Sequence, residues 1–370
     1  MTKTIACVVG ARPNFMKVAP ILRQIERSGS LESHLIHTGQ HYDSSLSGQF
    51  FEELEIRAPD TNLDVGSGSH AVQTARVMEG MDRLLDAERP DALLVVGDVN
   101  STLASALVAT KKHIRVIHVE SGLRSFDRTM PEEINRILTD QMSDLLFVTE
   151  QSGKANLLAE GIAADKIDLV GNVMIDSLFH ARTNAVPASQ TFGKADGGET
   201  ERWANGYALL TLHRPANVDD HRVLKALLTA IAEIAKSIPV WFPVHPKTRK
   251  AIEEQGLQAF TETPNMKFAA PASYHEMIGL LQDATLVLTD SGGLQEESSA
   301  LGVPCFTLRE STERPVTVDV GTNIIVGNAP EALLTAFGEF QSGKRKTGQI
   351  PPLWDGRAAA RIVERIENWI

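Results

Sequence analysis

The sequence predicts an α/β protein made of two open parallel sheets, each wound with helices. Short apolar or β-branched runs alternate with amphipathic segments; the alternation breaks from about Thr183 to Arg202 and then restarts. Strands separated by helices imply right-handed βαβ units and a parallel sheet. Polar clusters also follow the strand ends in both halves: Gly10-Ala11-Arg12-Pro13, Asp98, Glu120, His213-Arg214, His245-Pro246-Lys247 and Asp290-Ser291-Gly292. Open α/β sheets bind ligands at the carboxyl ends of their strands, so these clusters point to two sheets facing each other across a cleft.

In the first half, Thr4 to Val9 reads as a strand, followed by a loop to Asn14 and an amphipathic helix from Phe15 to Arg27. His34 to His37 is a second strand. A helix is expected over Ala71 to Leu85, a buried strand over Ala92 to Val96, and a small-residue helix from about Ser101 to Lys111. Strands at Val116 to Val119, Leu145 to Val148 and Ile167 to Val170 complete the sheet. The stretch Thr183 to Arg202, rich in Pro, Ser, Gly, Lys and Glu, reads as a linker or surface excursion. The second half begins with a strand at Tyr207 to Leu212 and a helix at His221 to Ser237. Strands follow at Val240 to Pro243, Met266 to Phe268, Leu286 to Thr289 and Cys305 to Leu308. The last helix, about Ala358 to Ile370, follows the Pro351-Pro352 break and is expected to cross back to the first half. The domains are therefore expected at 1–175 plus 353–370, and at 176–352.

Length agrees with two domains: 370 residues, 42% hydrophobic and 22% charged, are ordinary for a globular chain. A net charge of −11 argues against nucleic acid as a partner, so a phosphorylated substrate must be held by local cations. Cys7 and Cys305 sit in apolar strands and read as small core residues with no disulfide framework. The opening apolar run is too short for a signal peptide or membrane span, and no other run is long enough, so a cytoplasmic protein without a membrane partner is expected.

The richest stretch is Leu286 to Pro315. A buried strand leads into Asp290-Ser291-Gly292-Gly293 and then a helix from Leu294 to Leu301, with Glu296 and Glu297 expected in its first turn. Free N–H groups at a helix start, beside two glycines, suit an anion; the plainer alternative is a Ser N-cap on a tight turn. Glu297 suits the hydroxyls of a ribose, and Arg314, in the following loop, suits a diphosphate. Arg12 and Lys17 bring two further cations to the first helix start, for phosphate oxygens or merely for solvent. The first loop has one glycine where a dinucleotide fingerprint needs three, which disfavours a nicotinamide cofactor.

Three carboxylates draw attention. Asp98 is either a helix cap or a working acid. Glu120 ends an apolar strand, where an acid is costly without a task or a partner such as Arg124. Glu132 and Glu133 open a helix after Pro131, where acids also suit the dipole. His213 reads as a capping, core or functional histidine. No spacing suits a metal, and none is expected.

Taken together, Gly10–Asn14, Thr38–His41, Gly97–Thr102, His118–Arg124, Pro131–Arg136, Thr211–Pro215, Pro243–Pro246, Asp290–Glu297 and Thr312–Pro315 resemble the bacterial non-hydrolysing UDP-N-acetylglucosamine 2-epimerases, in order and over nearly the whole chain. The resemblance implies a glycosyltransferase-B-type fold of two Rossmann-like domains and reversible conversion of UDP-N-acetylglucosamine to UDP-N-acetylmannosamine. It implies nucleotide contacts from Arg12, Lys17, His213, Ser291, Gly292, Gly293, Glu297 and Arg314. It also implies catalytic roles for Asp98, Glu120 and Glu132, with His213 joining them as a catalytic candidate. Members are usually homodimers serving surface polysaccharide synthesis, and some bind a second substrate molecule as activator. Gln40, Arg214 and His245 match that activator site, whereas Tyr42-Asp43 and Pro215 depart from its pattern.

The chemistry favours loss of UDP first. The C2 hydrogen of the intact sugar is not acidic, whereas departure of UDP leaves an oxocarbenium-like C1 beside which it becomes so. Asp98 is then expected to take the proton, giving a glycal to which UDP adds back. Alternatives are an epimerase for a 2,3-diacetamido uronic acid nucleotide, a hydrolysing relative, and a retaining glycosyltransferase or nucleotide-sugar binder.

Overall fold

The computed structural model describes residues 2–39, 54–195 and 201–370. The chain divides into two compact units, Met1–Phe179 with Pro352–Ile370, and His180–Pro351.

The first unit runs β1 (Lys3–Val9), α1 (Arg12–Ser28), β2 (Leu31–His37), β3 (Thr61–Asn62), α2 (His70–Glu88), β4 (Ala92–Val96), α3 (Asn100–Lys111), β5 (Arg115–Ser121), α4 (Pro131–Met142), β6 (Leu145–Val148), α5 (Gln151–Ala159), β7 (Ile167–Leu169) and α6 (Val173–Ala181). Among the described residues its strands form one sheet in the order β3-β2-β1-β4-β5-β6-β7, paired parallel throughout. Helices cover both faces of such a sheet, so its central strands lack polar alternation: all five residues of β4 are buried.

The second unit begins with α7 (Ala188–Ala195). It continues β8 (Ala208–Thr211), α8 (Pro215–Val218), α9 (His221–Ile234), β9 (Val240–Pro243), α10 (Pro246–Glu254), β10 (Met266–Ala269), α11 (Tyr274–Asp283), β11 (Leu286–Thr289), α12 (Gly292–Leu301), β12 (Cys305–Thr307), α13 (Pro315–Asp319), β13 (Asn323–Ile325) and α14 (Pro330–Gln341). Its parallel sheet has the order β10-β9-β8-β11-β12-β13. Both orders are those of Rossmann-like sheets. They reverse direction between β1 and β4 in one unit and between β8 and β11 in the other, where the loops diverge and leave room for a ligand.

α15 (Ala358–Trp369) belongs to the first unit and packs on α1. Ala358, Ala359, Ile362, Val363 and Ile366 form its buried stripe at helical spacing. Burying each of the three larger side chains contributes about 1.5–3 kcal/mol. The Asp176 carboxylate accepts the first two amides of the helix, from Ala358 at 3.1 Å and Ala359 at 2.8 Å. Burial drives the Asp176 pKa up to about 6, against the pull of those amides.

The stretch read as a linker is partly a docked helix. Phe192 of α7 is buried and meets Trp203 at 5.1 Å, Tyr207 at 5.0 Å and Trp241 at 4.6 Å between ring centroids. One large apolar residue anchoring a short polar helix leaves little periodicity to read.

Candidate active site

In the first unit, the loops after β1 and β4 are knitted together. The Asn14 side chain accepts the amides of Gly10 at 3.2 Å and Ala11 at 2.9 Å, and donates to the Val96 carbonyl at 3.0 Å. This turns Lys17, one helical turn further on, toward β5, where its ammonium pairs with Glu120. Glu120 lies at a bulge: the register of β5 against β6 shifts between Val119 and Ser121, and Glu120 has φ +69°. A bulge re-aims a strand side chain, and left-handed backbone at a residue other than glycine persists only where its surroundings impose it. Gly97 is packed onto the pair; a Cβ there would lie 2.9 Å from Lys17 Nζ and 3.2 Å from Glu120 Oε2.

Asp98 follows Gly97. Arg136 on α4 reaches its carboxylate through Nε at 2.9 Å and Nη2 at 2.6 Å, and binds Glu133 through Nη1 at 2.9 Å. Glu133 also accepts the amides of Ser125 and Phe126, both at 2.9 Å. Burial alone would raise the Glu133 carboxyl; those amides and Arg136 hold it below its usual range. Of the paired acids opening α4, Glu133 is thus the internal prop. Glu132 is half-buried, without a hydrogen bond or ion pair to any described residue. The suggested pairing of Glu120 with Arg124 does not form: Arg124 binds Asp140 at 2.7 Å and Glu160 at 2.6 Å, and Lys17 takes its place.

In the second unit, Asp290 organises the loop after β8. Fully buried, it accepts the amides of His213 at 3.0 Å and Arg214 at 2.9 Å, and the Asn217 side chain at 3.1 Å. The His213 ring meets it through Nδ1 at 3.0 Å. Burial alone would push the Asp290 carboxyl up; the His213 ring and the amides hold it below its ordinary value. His245 caps α10 by accepting the Lys247 amide at 3.2 Å, and its ring centroid lies 5.8 Å from that of His213. Burial and the nearby His213 lower its pKa. The buried Nε of Arg214 has no hydrogen-bond partner among the described residues.

Ser291 precedes α12 without a side-chain cap bond. Neither Gly292 nor Gly293 has a left-handed φ. A Cβ on Gly292 would meet nothing within 4 Å, and one on Gly293 only Ser291 Oγ at 4.0 Å. Neither turn strain nor packing within the protein therefore requires glycine here. The backbone at the helix N-terminus is thus left open, as an anion site would need. The helix starts at Gly292, so Glu296 and Glu297 fall in its second turn and not, as expected, its first. Glu296 pairs with Arg314. Glu297 is buried, and its carboxyl is raised to about 7 by that burial; the Tyr274 hydroxyl donates to it at 3.3 Å. Gln295 accepts from the Thr312 hydroxyl at 2.7 Å and so ties the helix start to the Arg314 loop. Arg12 opens α1 but its side chain lies outside the described part of the structure, as does the whole of Gln40.

The sequence placed Asp290 in a strand-end cluster and Arg136 and His118 in matching motifs, but gave none of the three a role in the site. Each left a signal, a charged or polar side chain in an otherwise apolar or capping context, which requires a partner.

Two Rossmann-like units, one offering an anion-ready helix N-terminus and the other grouped carboxylates and a lysine, define a glycosyltransferase-B-type protein. The family model described as UDP-N-acetylglucosamine 2-epimerase matches residues 23–367. The chain is 42% identical over 369 residues to UDP-N-acetylglucosamine 2-epimerase of Methanocaldococcus jannaschii, covering 97% of each chain. It is 41% identical over 366 residues to UDP-2,3-diacetamido-2,3-dideoxy-D-glucuronate 2-epimerase of Pseudomonas aeruginosa, covering 97% of this chain and 98% of that one. The Methanocaldococcus jannaschii epimerase crystallised with UDP-GlcNAc and UDP superposes with a TM-score of 0.83 at 40% identity, over 99% of this chain and 100% of that one. The chain therefore belongs to the UDP-N-acetylglucosamine 2-epimerase family, whose members are isomerases.

Proposed function

We propose that this protein interconverts UDP-N-acetylglucosamine and UDP-N-acetylmannosamine by eliminating UDP to a glycal and adding it back to the opposite face. The observation that carries the mechanism is Glu120, a buried carboxylate turned out of its strand by a left-handed bulge and paired with Lys17 close to the Asp98 loop. In this reading the second unit anchors the nucleotide. The α12 N-terminus, Ser291, Gly292, Gly293 and Arg314 take phosphate oxygens, Glu297 the ribose hydroxyls, and His213, oriented by Asp290, contacts the diphosphate. Lys17 and Arg12 add charge where the leaving diphosphate develops it. Asp98 removes the C2 proton once UDP has departed. Glu120 or Glu132 supports the cationic transition state or protonates the other face; positioned groups of this kind contribute about 10²–10⁴-fold each.

The match to the Pseudomonas aeruginosa enzyme, at 41% identity against 42% for the archaeal one, supports a second reading, a substrate bearing a 3-acetamido group and a uronic acid. Working as a homodimer in the cytoplasm, for surface polysaccharide precursors, is part of the proposal. No helix among the described residues is long and apolar enough to cross a membrane. Incubation with UDP-N-acetylglucosamine alone tests the proposal. UDP-N-acetylmannosamine supports it, free sugar indicates a hydrolysing enzyme, and no change until the uronic acid nucleotide is supplied indicates the second reading.

A further inference from the structure

Asp98, Glu120 and Glu132 sit on three different segments, and the epimerase reading needs all three held in fixed relation. We infer, on the basis of that reading, that His118 and Asp140 are positioning residues that lock these segments to one another. His118 is on β5, two residues before Glu120, and Asp140 is on α4, the helix that Glu132 opens; both are fully buried. His118 Nε2–H donates to the carbonyl of Gly97, the residue before Asp98, at 2.8 Å. His118 Nδ1 and Asp140 Oδ1 are hydrogen-bonded at 2.6 Å. The other oxygen, Oδ2, accepts the amide of Gly122, two residues after Glu120, at 3.1 Å, and Arg124 Nη2 at 2.7 Å. One continuous chain of hydrogen bonds thus runs from the Asp98 loop, through β5 and α4, to the turn that leaves the Glu120 bulge.

Stability alone does not require this arrangement. Charged and polar groups taken wholly out of water are penalised, and a well-packed apolar pair of the same volume is often at least as stable. What the pair supplies is direction: apart from the Arg124 contact, its bonds join the Gly97 carbonyl before Asp98, the Gly122 amide after Glu120 and the helix that Glu132 opens. Glu120 needs such restraint, because its own backbone conformation is unfavourable for a residue with a Cβ.

The test uses the full-length enzyme and four readouts: kcat, KM, UDP affinity by calorimetry, and the fraction of turnovers ending as free UDP and glycal. Asp140→Ala removes the link between β5 and α4. Asp140→Asn keeps an acceptor for Gly122 and a donor for His118 Nδ1. Asp140→Ala is expected to lose about 10²-fold in kcat, the order of loss for carboxylates displaced by about 1 Å. KM and UDP affinity should be unchanged and more glycal should escape, while Asp140→Asn regains most of the rate. Folded Asp140→Ala turning over like wild type, or Asp140→Asn as slow as Asp140→Ala, overturns the inference. If Asp140→Ala does not fold, His118→Gln, which reaches the Gly97 carbonyl, should outpace His118→Asn, which reaches only Asp140; equal rates overturn it. A wild-type enzyme that forms no epimer removes the functional reading and this inference together. An active wild type with unaffected variants removes this inference alone.

Discussion

Lys17 and Glu120 should be held together for chemistry at the expense of stability, and the two effects can be separated. The side chains are 13% and 5% exposed, so the pair is largely desolvated. Removing one partner of a fully buried pair costs about 3–5 kcal/mol. Because Lys17 keeps some contact with water and Gln still accepts its proton, Glu120→Gln should cost less, about 1–3 kcal/mol. At roughly 2–4 °C per kcal/mol for a unit of this size, the melting temperature should fall by about 2–12 °C. Lys17→Met takes the Lys17 ammonium away from the buried Glu120 and should also lower the melting temperature. The double variant Lys17→Met, Glu120→Gln removes the charges together, so calorimetry should find it at or above wild-type stability, because an apolar or neutral replacement of a buried pair is often neutral or stabilising by about 1–4 kcal/mol. Its epimerisation should remain lost. Replacing Glu120 by Gly in the Lys17→Met background should add about 1–2 kcal/mol, from relief of the left-handed φ. A double variant as unstable as the singles, or one that still turns over, would show that the pair does not trade stability for chemistry.

Other positions separate folding from binding in the same way. Gly292→Ala should leave the melting temperature unchanged or raise it slightly, since the new methyl meets nothing within 4 Å, yet weaken UDP binding measured by calorimetry. Glu297, raised by burial from 4.5 to about 7, binds a proton in the folded state that the unfolded chain has already released. Its contribution therefore lowers stability progressively between about pH 4.5 and 7, by about 3 kcal/mol in all, and Glu297→Gln should flatten that slope in denaturant titrations. UDP affinity should rise with pH across the neutral range if the ribose donates to the ionised carboxylate. Arg314→Ala should weaken UDP by about 1.5–3 kcal/mol and also lower the melting temperature, because it removes the ion pair of the buried Glu296; adding Glu296→Gln should restore stability but not affinity.

What the sequence disclosed follows from how locally each feature is determined. β4 and β11 were readable to the residue, because a parallel strand buried on both faces is a continuous apolar run. β3 and β13 were not, since two or three residues at a sheet edge carry no such run. The turn at Ser291 was legible from Ser-Gly-Gly between a strand and a helix, but the open space in front of its glycines shows only in the fold. The bulge at Glu120 was invisible, because it arises from the register of β5 against β6, a non-local property. Its partner is non-local for the same reason: Arg124, the partner suggested by sequence, is near in the chain, whereas Lys17 is brought near only by the fold. His118 inside Val116-Ile117-His118-Val119 did announce itself, as a polar ring in an apolar strand; its partners 21 and 22 residues away could be found only in the fold.

In the proposed mechanism UDP leaves before the C2 proton does, and Asp98 takes that proton. Turnover of UDP-N-acetylglucosamine in heavy water, with the product read by proton NMR, tests it most directly. UDP-N-acetylmannosamine should carry deuterium at C2, formed without added NAD, and the Asp98→Asn enzyme should bind UDP but lose most of this exchange. Product that keeps its original C2 hydrogen, or exchange undiminished in Asp98→Asn, would contradict it.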